Sequence, residues 1–268
     1  VYVRSSGAWS EQAELVGGDS AAADVLGSAV AIDGDTIVVG APGADPGGEF
    51  GAGSAYVFVR TGNSWTQQAK LTASSAAAGD GFGSSVAVHE DTIVVGAPDK
   101  YDVVPARGRA YVFRRNGTAW TQEASFTQAL VHSSRFGKSV AGDGDTLLVG
   151  SYLWFNGTYA YGAAFVFDRS GSTWTQAQIL EPSASDLAHF GAATAIQGDR
   201  AIVGAPAENG YHGAAYVYER SGSTWSLQQE LLGQDSVAFG WFGDSVAVSE
   251  HQVVVGNPPY FGTQSLAD

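Results

Sequence analysis

The chain has 268 residues, 44% of them hydrophobic, which is enough for one large domain core, and it contains neither cysteine nor methionine. The first absence excludes a disulfide framework and thiol chemistry; the second marks the sequence as an expected mature or excised segment, in keeping with removal of an upstream signal peptide. With 27 acidic against 13 basic residues the formal net charge is −14, a surface that repels phosphate backbones and argues against a nucleic-acid partner, and no apolar run is long enough to span a bilayer.

In chain order, Val1-Tyr2-Val3-Arg4 stands five residues before Trp9, as Val57-Phe58-Val59-Arg60 stands before Trp65. Residues 1–16 therefore read as the third and fourth strands of a unit whose first two strands lie elsewhere. A pattern of an aromatic or leucine, glycine, a small-residue strand, a tight polar turn and a second strand then starts at Leu26, Phe82, Phe136, Phe190 and Phe242, in steps of 56, 54, 54 and 52 residues. A period of this size signals an array of supersecondary units. Its turns, Asp33-Gly34-Asp35, His89-Glu90-Asp91, Asp143-Gly144-Asp145 and Gln197-Gly198-Asp199, are hairpin signals. The second strand ends in Gly40-Ala41-Pro42, Gly96-Ala97-Pro98, Gly150-Ser151-Tyr152, Gly204-Ala205-Pro206 and Gly256-Asn257-Pro258. A loop of variable length follows, then an aromatic, β-branched strand and a fourth strand that carries Trp65, Trp120, Trp174 or Trp225.

Four antiparallel strands per repeat predict an all-β, five-bladed β-propeller filling residues 1–268 as a single domain. Its fifth blade combines the strands after Phe242 with residues 1–16, because an unpaired edge would invite association. The first strands, such as Ser84-Ser85-Val86-Ala87, are small enough to crowd round the axis, and the registered Phe and Trp are expected to pack between blades.

Phe-Gly, a small-residue strand and then Gly-Ala-Pro resembles the FG-GAP repeat of integrin α subunits and of many secreted or surface proteins of microbes. The resemblance implies an extracellular or cell-surface propeller that binds a partner through one face. It would also imply calcium in the loop between the first two strands. That loop has shrunk here to tight turns with two carboxylates, too few oxygens to surround the ion, so no cofactor is expected.

The first strands bring few charges to the axis, Lys138 and Asp244 among them, and the five histidines share no spacing. No nucleophile elbow, zinc motif or phosphate loop occurs, so the chain is expected not to be an enzyme. The loops between second and third strands are instead rich in aromatics: Phe50; Tyr101; Tyr152, Trp154, Phe155, Tyr159 and Tyr161; Tyr211 with His212; Tyr260 and Phe261. Rings with a polar handle make interface anchors, so Tyr101, Tyr152, Trp154, Phe155, Tyr159, Tyr211, His212, Tyr260 and Phe261 are the candidate binding residues, with the Tyr152 to Tyr161 loop expected to be exposed. The partner class is a protein or a glycan, including other copies of the chain. Two alternatives stand beside it: a structural assembly subunit with these rings between protomers, and a carbohydrate-active enzyme, which needs converging carboxylates at the channel. Two sequons, Asn116-Gly117-Thr118 and Asn156-Gly157-Thr158, are glycan acceptors where the source has that machinery.

Overall fold

The computed structural model describes residues 1–98, 108–128, 134–155, 157, 161–182, 188–233 and 240–258. Within them the chain is built of antiparallel sheets. A hairpin, β1 (Tyr2–Ser5) and β2 (Ala8–Glu11), comes first. Four four-stranded sheets follow: β3 (Val30–Asp33), β4 (Thr36–Ala41), β5 (Ser54–Thr61) and β6 (Ser64–Leu71); β7 (Ser85–His89), β8 (Thr92–Ala97), β9 (Arg109–Asn116) and β10 (Ala119–Thr127); β11 (Phe136–Asp143), β12 (Thr146–Ser151), β13 (Ala163–Ser170) and β14 (Thr173–Leu180); β15 (Ala193–Gln197), β16 (Arg200–Ala205), β17 (Ala214–Ser221) and β18 (Thr224–Leu232). A second hairpin, β19 (Val246–Val248) and β20 (Val253–Val255), completes the described strands.

In each four-stranded sheet the strands pair in sequence order, with the tight turns at one end and the long loops at the other. Second strands are buried along their whole length in β4, β8 and β12, as expected of apolar strands covered on both faces. Fourth strands are mostly half-buried or exposed. The first strands neighbour one another in turn, β3 beside β7, β7 beside β11, β11 beside β15 and β15 beside β19. Small residues are needed there because the sheets converge. The arrangement is consistent with a β-propeller.

The joint between sheets explains the repeated glycines. Gly83, just after Phe82, has φ +93° and lies against the preceding sheet, where a Cβ would meet the Ser54 carbonyl oxygen at 2.4 Å. On the other side of the joint, a Cβ on Gly40 would stand 2.0 Å from the Gly83 carbonyl oxygen. Backbone therefore packs on backbone, and no side chain fits. The same contact recurs as Gly96 on Gly137, Gly150 on Gly191 and Gly204 on Gly243. The adjoining phenylalanines seal it: Phe82, Phe136 and Phe190 are fully buried, with ring centroids 5.3 to 5.4 Å from Tyr111, Phe165 and Tyr216.

A second seam device runs along the turn side. Arg60, Arg115, Arg169 and Arg220 each lie over the tryptophan of their own fourth strand, 4.6 to 5.8 Å from the ring centroid. Each also pairs with the aspartate of the first turn, Asp35, Asp91, Asp145 or Asp199. Arg115 and Arg220 reach back to the preceding sheet, donating to the hydroxyls of Thr36 and Thr146, and Arg169 donates to Glu123 at 2.8 Å. The turn aspartates Asp35, Asp91, Asp145 and Asp199 are thus ion-paired with these arginines while remaining exposed. Asp33 accepts the Glu90 N–H of the next turn at 2.5 Å, and Asp143 accepts that of Gly198.

Among the described residues the joint is half-built at Gly27 and at Gly256. Beside Gly27 a Cβ would meet nothing within 4 Å, and Gly256 meets only its own sheet's Ser245. Val30 and Ile32 of β3 are 68% and 62% exposed, whereas their counterparts Val86, Val140, Val88 and Ile196 are half-buried or buried. The two hairpins expected to share one sheet are separate two-stranded sheets among the described residues.

Candidate functional site

The loop side of the molecule differs from repeat to repeat. It is assembled from the connections between second and third strands and from the segments that lead into each first strand. Every lead-in makes the same turn, in which the residue before the Phe-Gly pair, or before Leu26-Gly27, accepts an N–H from three positions on: Ser28 to Val25, Ser84 to Gly81, Lys138 to Arg135, Ala192 to His189 and Asp244 to Trp241, at 3.1 to 3.2 Å. The turn needs left-handed backbone at that residue, and φ is +56° at Val25, +66° at Gly81, +55° at Arg135, +53° at His189 and +55° at Trp241. Glycine meets the need without strain at 81. An L-residue there costs about 1–2 kcal/mol, so an imidazole and an indole at this position are held against a local preference.

The loop after β16 supplies a third such ring. It forms a short helical turn, Glu208–Tyr211, whose Asn209, Gly210 and Tyr211 have φ of +53°, +70° and +69°. The anchor is the Glu208 carboxylate, only 1% exposed, which accepts the Tyr216 hydroxyl at 2.6 Å. The Ala207 N–H donates to the Ala188 carbonyl at 3.1 Å, and the Trp241 and Phe242 N–H groups donate to Tyr211 and His212 at 3.2 Å. Loop and lead-ins are therefore tied into one surface.

On that surface four rings join in a chain of contacts. Tyr152 meets His189 edge to face with centroids 5.1 Å apart, His189 lies 6.4 Å from Trp241 at 37°, and Trp241 lies 5.2 Å from Tyr211 at 48°. Tyr211 is exposed and the other three are half-buried. Burial lowers the His189 pKa below its ordinary value, which favours the neutral imidazole.

Of the binding residues read from sequence, Tyr152 and Tyr211 join this cluster, and His212 sits half-buried beside it through its carbonyl contact with Phe242. Trp154 corrects the expectation that its loop presents its rings. It is buried, packed edge to face on Phe165 at 5.9 Å and beside Tyr161 at 6.4 Å, because the loop folds back over its own sheet. Phe155 is half-buried in the same loop. Tyr101, Tyr159, Tyr260 and Phe261 lie outside the described residues. Lys138 and Asp244 are exposed, and Asp244 follows the Trp241 turn. Sequence reading missed His189, Trp241 and Glu208. The signal for the first two was positional: aligned on Phe-Gly, they stand where Gly81 stands.

No helix is long and apolar enough to cross a membrane among the described residues. No curated protein matches the chain. The FG-GAP repeat does match, over residues 9–58, 65–113, 120–167 and 174–218. Each match runs from a fourth-strand tryptophan, or from its counterpart Trp9, to the third strand of the next sheet, so the unit it defines straddles the glycine joint. With four matched copies spanning well over half its length, the chain belongs to the FG-GAP repeat family.

Proposed function

We propose that this is an extracellular, non-enzymatic binding module, a five-bladed propeller that recognises a protein or glycan partner through its loop face. The observation that carries the reading is the contact chain of Tyr152, His189, Trp241 and Tyr211, three of them on left-handed backbone, on the one side where the repeats diverge. FG-GAP repeats belong to adhesion and binding propellers, which agrees with this reading. The fifth blade would form when β20 pairs with β1 and Gly256 seats on Gly27. Exposed Val30 and Ile32 also favour a second reading, in which β20 of another copy fills the same joint and gives a head-to-tail assembly.

Because the chain lacks cysteine, either side can be blocked selectively. Asp244→Cys on the loop side and Ser172→Cys in the β13–β14 turn, each biotinylated and capped with streptavidin, would be applied to an array of extracellular-matrix proteins and glycans. Capping at 244 is expected to abolish binding and capping at 172 to leave it. The reverse pattern, or an uncapped chain that binds no array member, overturns the reading.

A further inference from the structure

The chain of ring contacts also constrains what the face would take, and this inference rests on the loop-face reading above. Three observations narrow the ligand. The surface is a run of contacting rings tilted 37° to 83° to their neighbours, with no carboxylate or guanidinium among the four. Each of the four carries a polar atom at its edge, two phenol hydroxyls, an imidazole and an indole N–H. The protein's net charge of −14 opposes an anionic ligand, and burial favours a neutral His189, so none of the four rings offers a counter-charge.

A ligand that fits has an apolar face to lie on aromatic carbon and a rim of neutral hydrogen-bonding groups to meet the polar edges. A sugar ring has both, its C–H groups forming the face and its hydroxyls the rim. We infer that Tyr152, His189, Tyr211 and Trp241 form a platform for a neutral saccharide. A quaternary ammonium group is the competing occupant, since aromatic faces also attract cations, but it would leave the polar ring edges without partners.

The left-handed backbone gives the test an unusual control. Replacing Trp241 or Tyr211 by glycine removes the ring and also relieves local strain, so loss of binding need not come with loss of fold. Binding of neutral hexasaccharides (cellohexaose, xylohexaose, mannohexaose and chitohexaose) would be followed by calorimetry, with tetramethylammonium as the cation probe and thermal unfolding as the check on folding. At least one hexasaccharide is expected to bind, with affinity at least tenfold weaker in Trp241→Gly and in Tyr211→Gly and unchanged in Phe50→Ala, an exposed ring on the loop side of the first sheet.

Saccharide binding that survives both glycine variants in folded protein overturns the platform. So does a chain that binds none of the four sugars, and so does one that binds only tetramethylammonium with loss in the same variants. These failures are separable from failure of the loop-face reading: a protein partner blocked by the cap at 244 would leave that reading standing and remove the saccharide alone.

Discussion

Gly27 and Gly137 hold the same place in the first and third repeats and meet opposite surroundings. At Gly137, with φ +87°, the preceding sheet presses in, and a Cβ would stand 2.2 Å from the Arg109 carbonyl oxygen. At Gly27, with φ +96°, the same side is open. The difference separates two reasons for glycine in this motif. Left-handed backbone is intrinsic to the turn, whereas close approach exists only where a neighbouring sheet has seated. The joint between sheets, rather than the single sheet, is thus the unit of structure, and among the described residues Gly27 and Gly256 lack the facing backbone that the other joints have.

The comparison can be broken most directly by alanine. Gly137→Ala is expected to destabilise by about 3 kcal/mol or more in urea unfolding, combining left-handed strain of about 1–2 kcal/mol with overpacking of about 1–3 kcal/mol. If Gly27 stays open, Gly27→Ala loses only the strain. If the ring closes as proposed, the two variants cost the same.

The arginine seam sharpens the contrast on the turn side. Arg169 and Glu123 are 14% and 13% exposed, so Arg169→Ala leaves a carboxylate in the seam without its cation and should cost about 2 kcal/mol. Arg60 pairs with Asp35 at 60% exposure, and Arg60→Ala should cost less than about 1 kcal/mol. Equal effects in chemical denaturation would contradict a graded seam.

At the lead-in turns, Gly81→Ala should cost about 1 kcal/mol, whereas His189→Gly and Trp241→Gly should cost little, because relief of strain offsets lost ring contacts. A cost above about 2 kcal/mol for either would make these rings structural and weaken the case for binding.

The smallest effect is that of pH. Burial holds the folded His189 pKa below the ordinary 6.5 of an exposed histidine, so below that pH the unfolded chain takes up the proton more readily than the folded one. The contribution is intact above about pH 6.5 and is lost as pH falls through the folded value. Stability of the parent chain should therefore drop more steeply than that of His189→Gln on acidification, a difference readable in thermal unfolding at pH 7 and pH 5. A steeper drop in the variant would reverse the sign and contradict the burial.

Much of the fold was legible because its cause is local and repeated. Phe-Gly, the tight turns and the β-branched strands place all four four-stranded sheets, and the registered Phe82, Phe136 and Phe190 are buried at the joints as their size implies. The site was legible only in part. Aromatic content marked Tyr152 and Tyr211, but it could not distinguish them from Trp154, whose burial depends on a loop folding back onto Phe165. His189 and Trp241 escaped notice because nothing in their composition sets them apart. Their meaning comes from left-handed backbone and from ring neighbours distant in the sequence, Tyr152, Tyr211 and each other, as Tyr111 and Ser75 or Arg169 and Glu123 also come together only through the fold.

Closure of the ring, as proposed, would make the half-joints at Gly27 and Gly256 two halves of one. In the built sheets Thr36 lies opposite Val59, Thr92 opposite Arg114 and Thr146 opposite Asp168. The same register would set Gln252 opposite Val3, on adjacent strands about 5 Å apart. In this cysteine-free chain, Val3→Cys combined with Gln252→Cys gives a direct reading under mild oxidation. If the ring closes, a disulfide forms within a single chain that migrates as a monomer. A reduced monomer would contradict closure, and a ladder of disulfide-linked copies would transfer the joint from the ring to an assembly.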